Sequence, residues 1–200
     1  MSVVKPTPFI PGMLVSTTAV EATPAWSAAT TYAANQTARF ERKIWRSIVG
    51  SNLNHPPNAA DAATWWSLVG PDNVYAMFDD AISTATTAPG TLSVTLAPGI
   101  NNSLALFGLQ GQELVITVRD GLAGPEVYTK TVQLDGSIVT DWYQYFFEGF
   151  YQEKEIILTD LPPYASSHIT VTVTGGTAAI GTMVVGTEYD IGRTLIGVGM

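Results

Sequence analysis

From Thr91 onward the chain is a succession of short apolar or β-branched runs, each cut off by a turn pair before it can grow into a helix. Leu92–Leu96 alternates cleanly, Leu104–Phe107 and Leu114–Val118 read as buried strands, and Glu126–Val132 is polar on one face. Glu155–Leu158, Ile169–Thr174 and a Gly-punctuated tail around Met183–Val185 follow. Pro98-Gly99, Asp120-Gly121, Asp135-Gly136 and Gly175-Gly176 supply the turns between them. Short strands at close intervals leave two architectures open, a β-sandwich or a jelly roll. Few charged residues, 18 Gly, 12 Pro and an abundance of Thr, Val and Ala agree with that class. Two hundred residues suffice for one good core and a small satellite domain.

A different pattern occupies Ala25–Val69. Trp26 and Tyr32 are followed by the hairpin-like Ala38–Trp45, then Asn54-His55-Pro56-Pro57 and the closing Trp65-Trp66. In this order the segment resembles the chitin-binding type 3 modules of carbohydrate-binding family 5/12. The family's landmarks are an opening Ala-Trp, a Tyr, a short hairpin ending in an aromatic, a Pro-bearing loop and a closing Trp. The resemblance implies glycan contact by Trp26, Tyr32, Trp45, Trp65 and Trp66. The family's stacking platform lies just after the hairpin, where this chain has Ile48-Val49-Gly50. Asn35 stands at the family's turn glycine and Arg42 at its hairpin-turn glycine, and Asn tolerates positive φ. The plainer reading, that Trp26, Tyr32, Trp45 and Trp66 form the mini-core of a module too small for an aliphatic one, is preferred over sugar stacking.

Residues 1–23 read as an extended arm. Pro6, Pro8 and Pro11 oppose a helix, yet Phe9, Ile10, Met13 and Leu14 are too apolar to stay in water. Packing on its own domain and adding to a neighbouring subunit are both open to such an arm, and the second is favoured. Phe9, Ile10 and Leu14 are therefore candidate interface residues. So are Trp142, Tyr143, Tyr145 and Phe147, within an aromatic block from Trp142 to Tyr151 that one thin sandwich cannot bury on both faces.

Between module and sandwich, Asn73–Ile82 fits a short helix after Asp72 by period. Its Phe78-Asp79 and following Thr-rich turn resemble instead the opening strand of galactose-binding-like jelly rolls, so a strand is expected. Met77-Phe78-Asp79, Val94–Gly99, Asp141–Phe147 and the closing glycine pairs resemble β-sandwich proteins of tailed-phage structural modules, in which a chitin-binding-like module often precedes the sandwich.

Catalysis finds little support. His55 precedes two prolines and His168 opens a strand, neither at a known nucleophile spacing. Asp141, Glu148, Glu153 and Glu155 are the carboxylates a glycosidase would draw on, and acids beside an aromatic turn are usually solvated. Asp79 and Asp80 could join a Ca²⁺ site but lack a repeated oxygen-ligand pattern. No cofactor, metal or catalytic residue is expected. The net charge of −8 argues against nucleic acid. The basic hairpin of Arg39, Arg42, Lys43 and Arg46 reads as a solvated face or a docking surface. There is no cysteine, and neither a signal-peptide core nor a spanning stretch is visible. The ending on Met200 without a polar tail suits either a longer natural chain or a docked C-terminal strand.

The expectation is an all-β chain with an arm at 1–23, a small three-stranded chitin-binding-like module at 24–70 and an antiparallel, jelly-roll-like sandwich at 71–200. It would be a structural, non-enzymatic, homo-oligomeric component of a phage tail or baseplate, assembled in the host cytoplasm. Its partners would be other tail proteins, with a host-surface glycan as the partner in the alternative carbohydrate-binding reading.

Overall fold

Alternation along the strands decides where the core forms. The computed structural model describes residues 2–79, 81, 83–135, 142, 146, 152–190 and 192. One antiparallel sheet contains β1 (Ser2–Pro6), β9 (Ser103–Phe107), β12 (Glu155–Leu158) and β14 (Thr182–Asp190), in the order β1-β14-β9-β12. The second contains β2 (Leu14–Thr17), β8 (Thr86–Leu96), β10 (Glu113–Asp120), β11 (Glu126–Gln133) and β13 (Ser167–Ile180), in the order β11-β10-β13-β8-β2. Every second residue points between the sheets: Leu104, Leu106, Leu158, Met183 and Val185 from the first meet Leu92, Val94, Leu114, Ile116, Val171 and Val173 from the second. Each such side chain contributes roughly 1.5–3 kcal/mol by leaving water.

Setting β2 aside and counting the other eight strands from one to eight, the sheets read 1-8-3-6 and 5-4-7-2. This is the jelly-roll order. Its first strand is β1, which corrects the expected arm. Ser2–Pro6 pairs with β14 from Ser2↔Asp190 to Pro6↔Gly186, and Leu14–Thr17 pairs with β8. The stretch between them, including the 3-10 turn Pro11–Met13, straps one side of the sandwich. Phe9 stacks on Phe78 at 3.8 Å and 2°, and Phe9 and Leu14 pack on the core of their own chain, while Ile10 is exposed. The prolines are tolerated because β1 is an edge strand, with Pro6 at its last position.

Two further expectations give way. Asn73–Ile82 forms no strand in its described residues. The Asp72 carboxylate accepts from Tyr75 N–H at 3.1 Å and a 3-10 turn follows at Ala76–Phe78, burying Met77. Gly175-Gly176 does not end a strand; β13 runs through it beside β8 with a register shift between Thr174 and Thr177.

The small module is inserted in the jelly roll between its first and second strands. It holds β3 (Thr31–Tyr32) paired with β6 (Asn52–Leu53), and a three-stranded sheet of β4 (Thr37–Phe40), β5 (Lys43–Ser47) and β7 (Trp66–Pro71), with one helical turn, α1 (Ala62–Trp65). Where the chain enters and leaves, a polar clasp ties both ends to β8. Glu21 accepts from Asn73 N–H at 2.7 Å, and the Asn73 amide donates to the carbonyls of Val20 and Thr87 at 3.0 and 2.9 Å.

Candidate functional site

Tyr32, Ala38 and Trp66 are the buried centre of the module, with Trp26, Trp45 and Trp65 packed around them. The Trp66 side chain is 2% exposed, crosses Tyr32 edge-on at 5.1 Å and donates its indole N–H to the His55 carbonyl at 2.7 Å. The Tyr32 hydroxyl accepts from Ser27 N–H at 2.7 Å. Trp26 meets Phe40 edge-on at 5.7 Å. Trp65 lies flat on the His55 ring at 3.6 Å and donates to Asp61 at 3.1 Å, so one of its faces is already covered. These rings converge inward, forming a core and no open row of aromatic faces. Behind the hairpin, the residues at the family's stacking place include Ile48, which is exposed and aliphatic.

That core carries a polar debt. The indole nitrogens of Trp26 and Trp45 and the Asn52 side-chain carbonyl are buried without a hydrogen-bond partner among the described residues. Each such group costs about 1–3 kcal/mol. Backbone conformation adds to it: Asn35, Glu41, Arg42, Ser51 and Asn54 all have positive φ and all lie in the module. Asn35 tolerates this geometry as the sequence implies, whereas Glu41 (φ 49°) and Arg42 (φ 65°) turn the β4–β5 hairpin without a glycine.

That turn overhangs a cleft of about 360 Å³ between module and strap. Phe9, Pro11, Tyr75 and Phe78 form its apolar side, Leu68 and Pro71 its module side, and Arg42 and Lys43 its rim. The Arg42 guanidinium sits 5.3 Å over the Tyr75 ring. Of the acids at the rim, Glu41 accepts from Asn58 at 3.3 Å, and Asp79 accepts from Thr84 at 2.6 Å and from Ala81 N–H at 3.1 Å. The two cations form no ion pair among the described residues.

The remaining expected sites are dispersed. Trp142 and Phe146 stack on one another at 6.2 Å and are 79% and 66% exposed. Tyr143, Tyr145 and Phe147 lie outside the described residues, as do Asp80, Asp141 and Glu148. Among the described residues, no group of three or more His, Asp or Glu could hold a metal ion. His168 Nδ1–H donates locally to the Ser166 carbonyl, 2.9 Å away. No described helix is long and apolar enough to cross a membrane.

Sequence reasoning named Phe9 as an interface residue and read the basic hairpin first as a solvated face, with a docking surface as the alternative, and it missed Tyr75, Phe78 and Leu68. The available signal was a cluster of cations in an acidic chain. Nothing local reveals that the strap brings Phe9 alongside it.

Fold and site together define an all-β protein, an antiparallel sandwich carrying a small aromatic-cored insertion. No protein-family model matches the chain, and no curated protein matches it.

Proposed function

We propose that this chain is a non-enzymatic structural protein of a tailed-phage virion, in the tail or baseplate, held there by contacts with other tail proteins and with copies of itself. The observation that supports assembly is the outer face of the β1-β14-β9-β12 sheet. There Ile157, Ala105 and Val184 stand side by side across three strands with Phe107 next along β9. Ile157 is 58% exposed and Phe107 is also exposed. A solvated outer face of an antiparallel sheet normally carries polar residues at such places. An apolar row there suits a surface covered by a neighbour.

The experiment is to purify particles from the producing cells and quantify the chain in them. Wild type should be recovered in a fixed ratio to the particle's other proteins, and Ile157→Asp should remain folded yet fall out of the particle. Absence of the wild-type chain from particles would refute the reading. The carbohydrate-binding alternative draws on the half-covered Trp65 ring. Retention of the full chain on chitin beads, competed by N-acetylglucosamine oligomers, would favour that alternative.

A further inference from the structure

We propose that β12 is the edge by which two copies of this chain join, pairing antiparallel about a twofold axis so that their β1-β14-β9-β12 sheets merge into one. The inference rests on the assembly reading and specifies one contact within it. The two large sheets end in four edge strands, β1, β12, β11 and β2. Natural edges are kept from pairing with other chains by a Pro, a Lys or a bulge. Three of the four carry such a device. β1 has Lys5 and Pro6, β2 shifts register between Leu14 and Ser16, and β11 has Lys130 and lies opposite a shift between Val118 and Arg119. β12 has neither Pro nor Lys and keeps an unbroken register with β9 from Glu155↔Phe107 to Leu158↔Leu104. Its other side pairs with no described strand.

A second copy fits this edge because the sequence around it is complementary to itself. With the twofold centred on Ile157, Ile156 of each copy lies opposite Leu158 of the other, and Glu155 opposite Thr159. Lys154 of each copy then falls opposite Asp160 of the other, which gives two opposite-charge pairs at the flanks of a short strand. Moving the centre to Ile156 would instead set Glu155 against Ile157 and Lys154 against Leu158, so charge and apolarity together select the first register. Lys154 and Asp160 are both exposed, and Lys154 forms no ion pair among the described residues. The Asp160 carboxylate accepts from the Tyr128 hydroxyl at 3.2 and 3.3 Å and has acceptor capacity to spare. A twofold normal to the sheet also keeps the outer faces together. The apolar row of Val184, Ala105 and Ile157 meets its own image at Ile157, which is 58% exposed in the single chain, and continues across the joint. The contact is isologous and closes at two copies.

The test is sedimentation velocity on the full chain over a wide concentration range, joined to thiol cross-linking. Wild type should dimerise reversibly, and less tightly at high salt. Lys154→Asp and Asp160→Lys should each weaken the dimer about tenfold or more with unchanged thermal unfolding. The double variant restores opposite charges in reversed order and should recover wild-type dimerisation to within about threefold. The chain has no cysteine, so Ile157→Cys introduces a lone thiol. Two such residues directly across the twofold have Cβ atoms about 4.5–5.5 Å apart, close enough to oxidise to a covalent dimer. The thiols of Glu155→Cys would lie about 13 Å apart and should stay reduced. If Asp160→Lys disturbs the fold by losing the Tyr128 bond, the two thiol variants decide alone. A charge swap that fails to restore the dimer in a folded protein, or Glu155→Cys cross-linking as readily as Ile157→Cys, overturns the β12 contact while leaving particle incorporation to stand. A wild type that stays monomeric throughout also overturns it, and only absence from particles as well removes the assembly reading.

Discussion

Glu21, Arg39, Asp72 and Asn73 show how two carboxylates in one clasp acquire opposite responses to pH. Burial is the largest influence on Glu21 and pushes its carboxyl up. The backbone N–H groups of Asn73 and Thr23, the Thr23 hydroxyl and the Arg39 charge together outweigh it and hold the carboxyl below its ordinary range. Burial is also the largest influence on Asp72; there it prevails, helped by the Glu21 charge and opposed by the N–H groups of Tyr75 and Val74 and by Arg39, so the carboxyl is raised. A raised carboxyl stabilises the fold fully below its unfolded pKa and loses that contribution as pH rises through the folded value. At neutral pH the charged Asp72 is therefore a cost. Asp72→Asn keeps an amide oxygen for Tyr75 N–H and removes the charge facing Glu21. The variant should melt higher than wild type at pH 7, and the difference should shrink to nothing as acid protonates Asp72 in the wild type. Thermal melts at both ends of that range measure it. A gain that grows on acidification would contradict the assignment.

At the scale of elements, the strands were legible where period and punctuation agree. Glu155–Leu158 is found as expected, and the cores of β9, β10 and β11 lie where the runs placed them. The reading failed where a turn signal serves a bulge: Gly175, at φ 136°, lets β13 shift register and continue, so a Gly-Gly pair lies inside the strand. It failed again at β1, because three prolines look like an arm until a sheet edge is known to await them. The aromatics at the module's centre, Tyr32 and Trp66, are among those the resemblance singles out and the plainer reading offers as a mini-core. The cleft was not legible, since Phe9, Arg42 and Tyr75 are distant in sequence and meet only through topology. The β1 edge depends on close backbone approach at Gly186. A Cβ there would lie 2.6 Å from the Lys5 carbonyl oxygen and 2.9 Å from a Val4 methyl. Gly186→Ala should therefore pry β1 off β14, costing on the order of 1–3 kcal/mol. Limited proteolysis reads this directly, with cleavage appearing within residues 2–10 well before the rest of the chain. Equal resistance in both proteins would show that β1 can shift without detaching.

At the scale of the whole molecule, sequence order and structural order part company. The sandwich begins at Ser2, is interrupted by the module and resumes at β8, so the N-terminal residues are indispensable to a domain whose bulk lies far downstream. The insertion is topologically cheap because its two ends adjoin: the Glu21 carboxylate lies 2.7 Å from Asn73 N, and the Asn73 amide reaches Val20 at 3.0 Å. Insertions whose ends meet can be removed without redirecting the chain. Excising 24–71 and joining Thr23 to Asp72 through a short Gly-Ser linker should leave a cooperatively unfolding sandwich. Deleting residues 2–17 should be far worse, since it removes the first jelly-roll strand, strips β8 of its edge partner and takes Phe9 and Leu14 from the core. Losing large apolar side chains of that kind costs roughly 2–5 kcal/mol each when they are fully buried, so even with partial burial the combined loss rivals the total stability of a domain this size. Urea titrations followed by near-ultraviolet dichroism of both proteins decide the matter. A stable sandwich after the short deletion, together with collapse after the larger excision, would reverse the roles assigned to the two segments and restore residues 2–17 to the status of an arm.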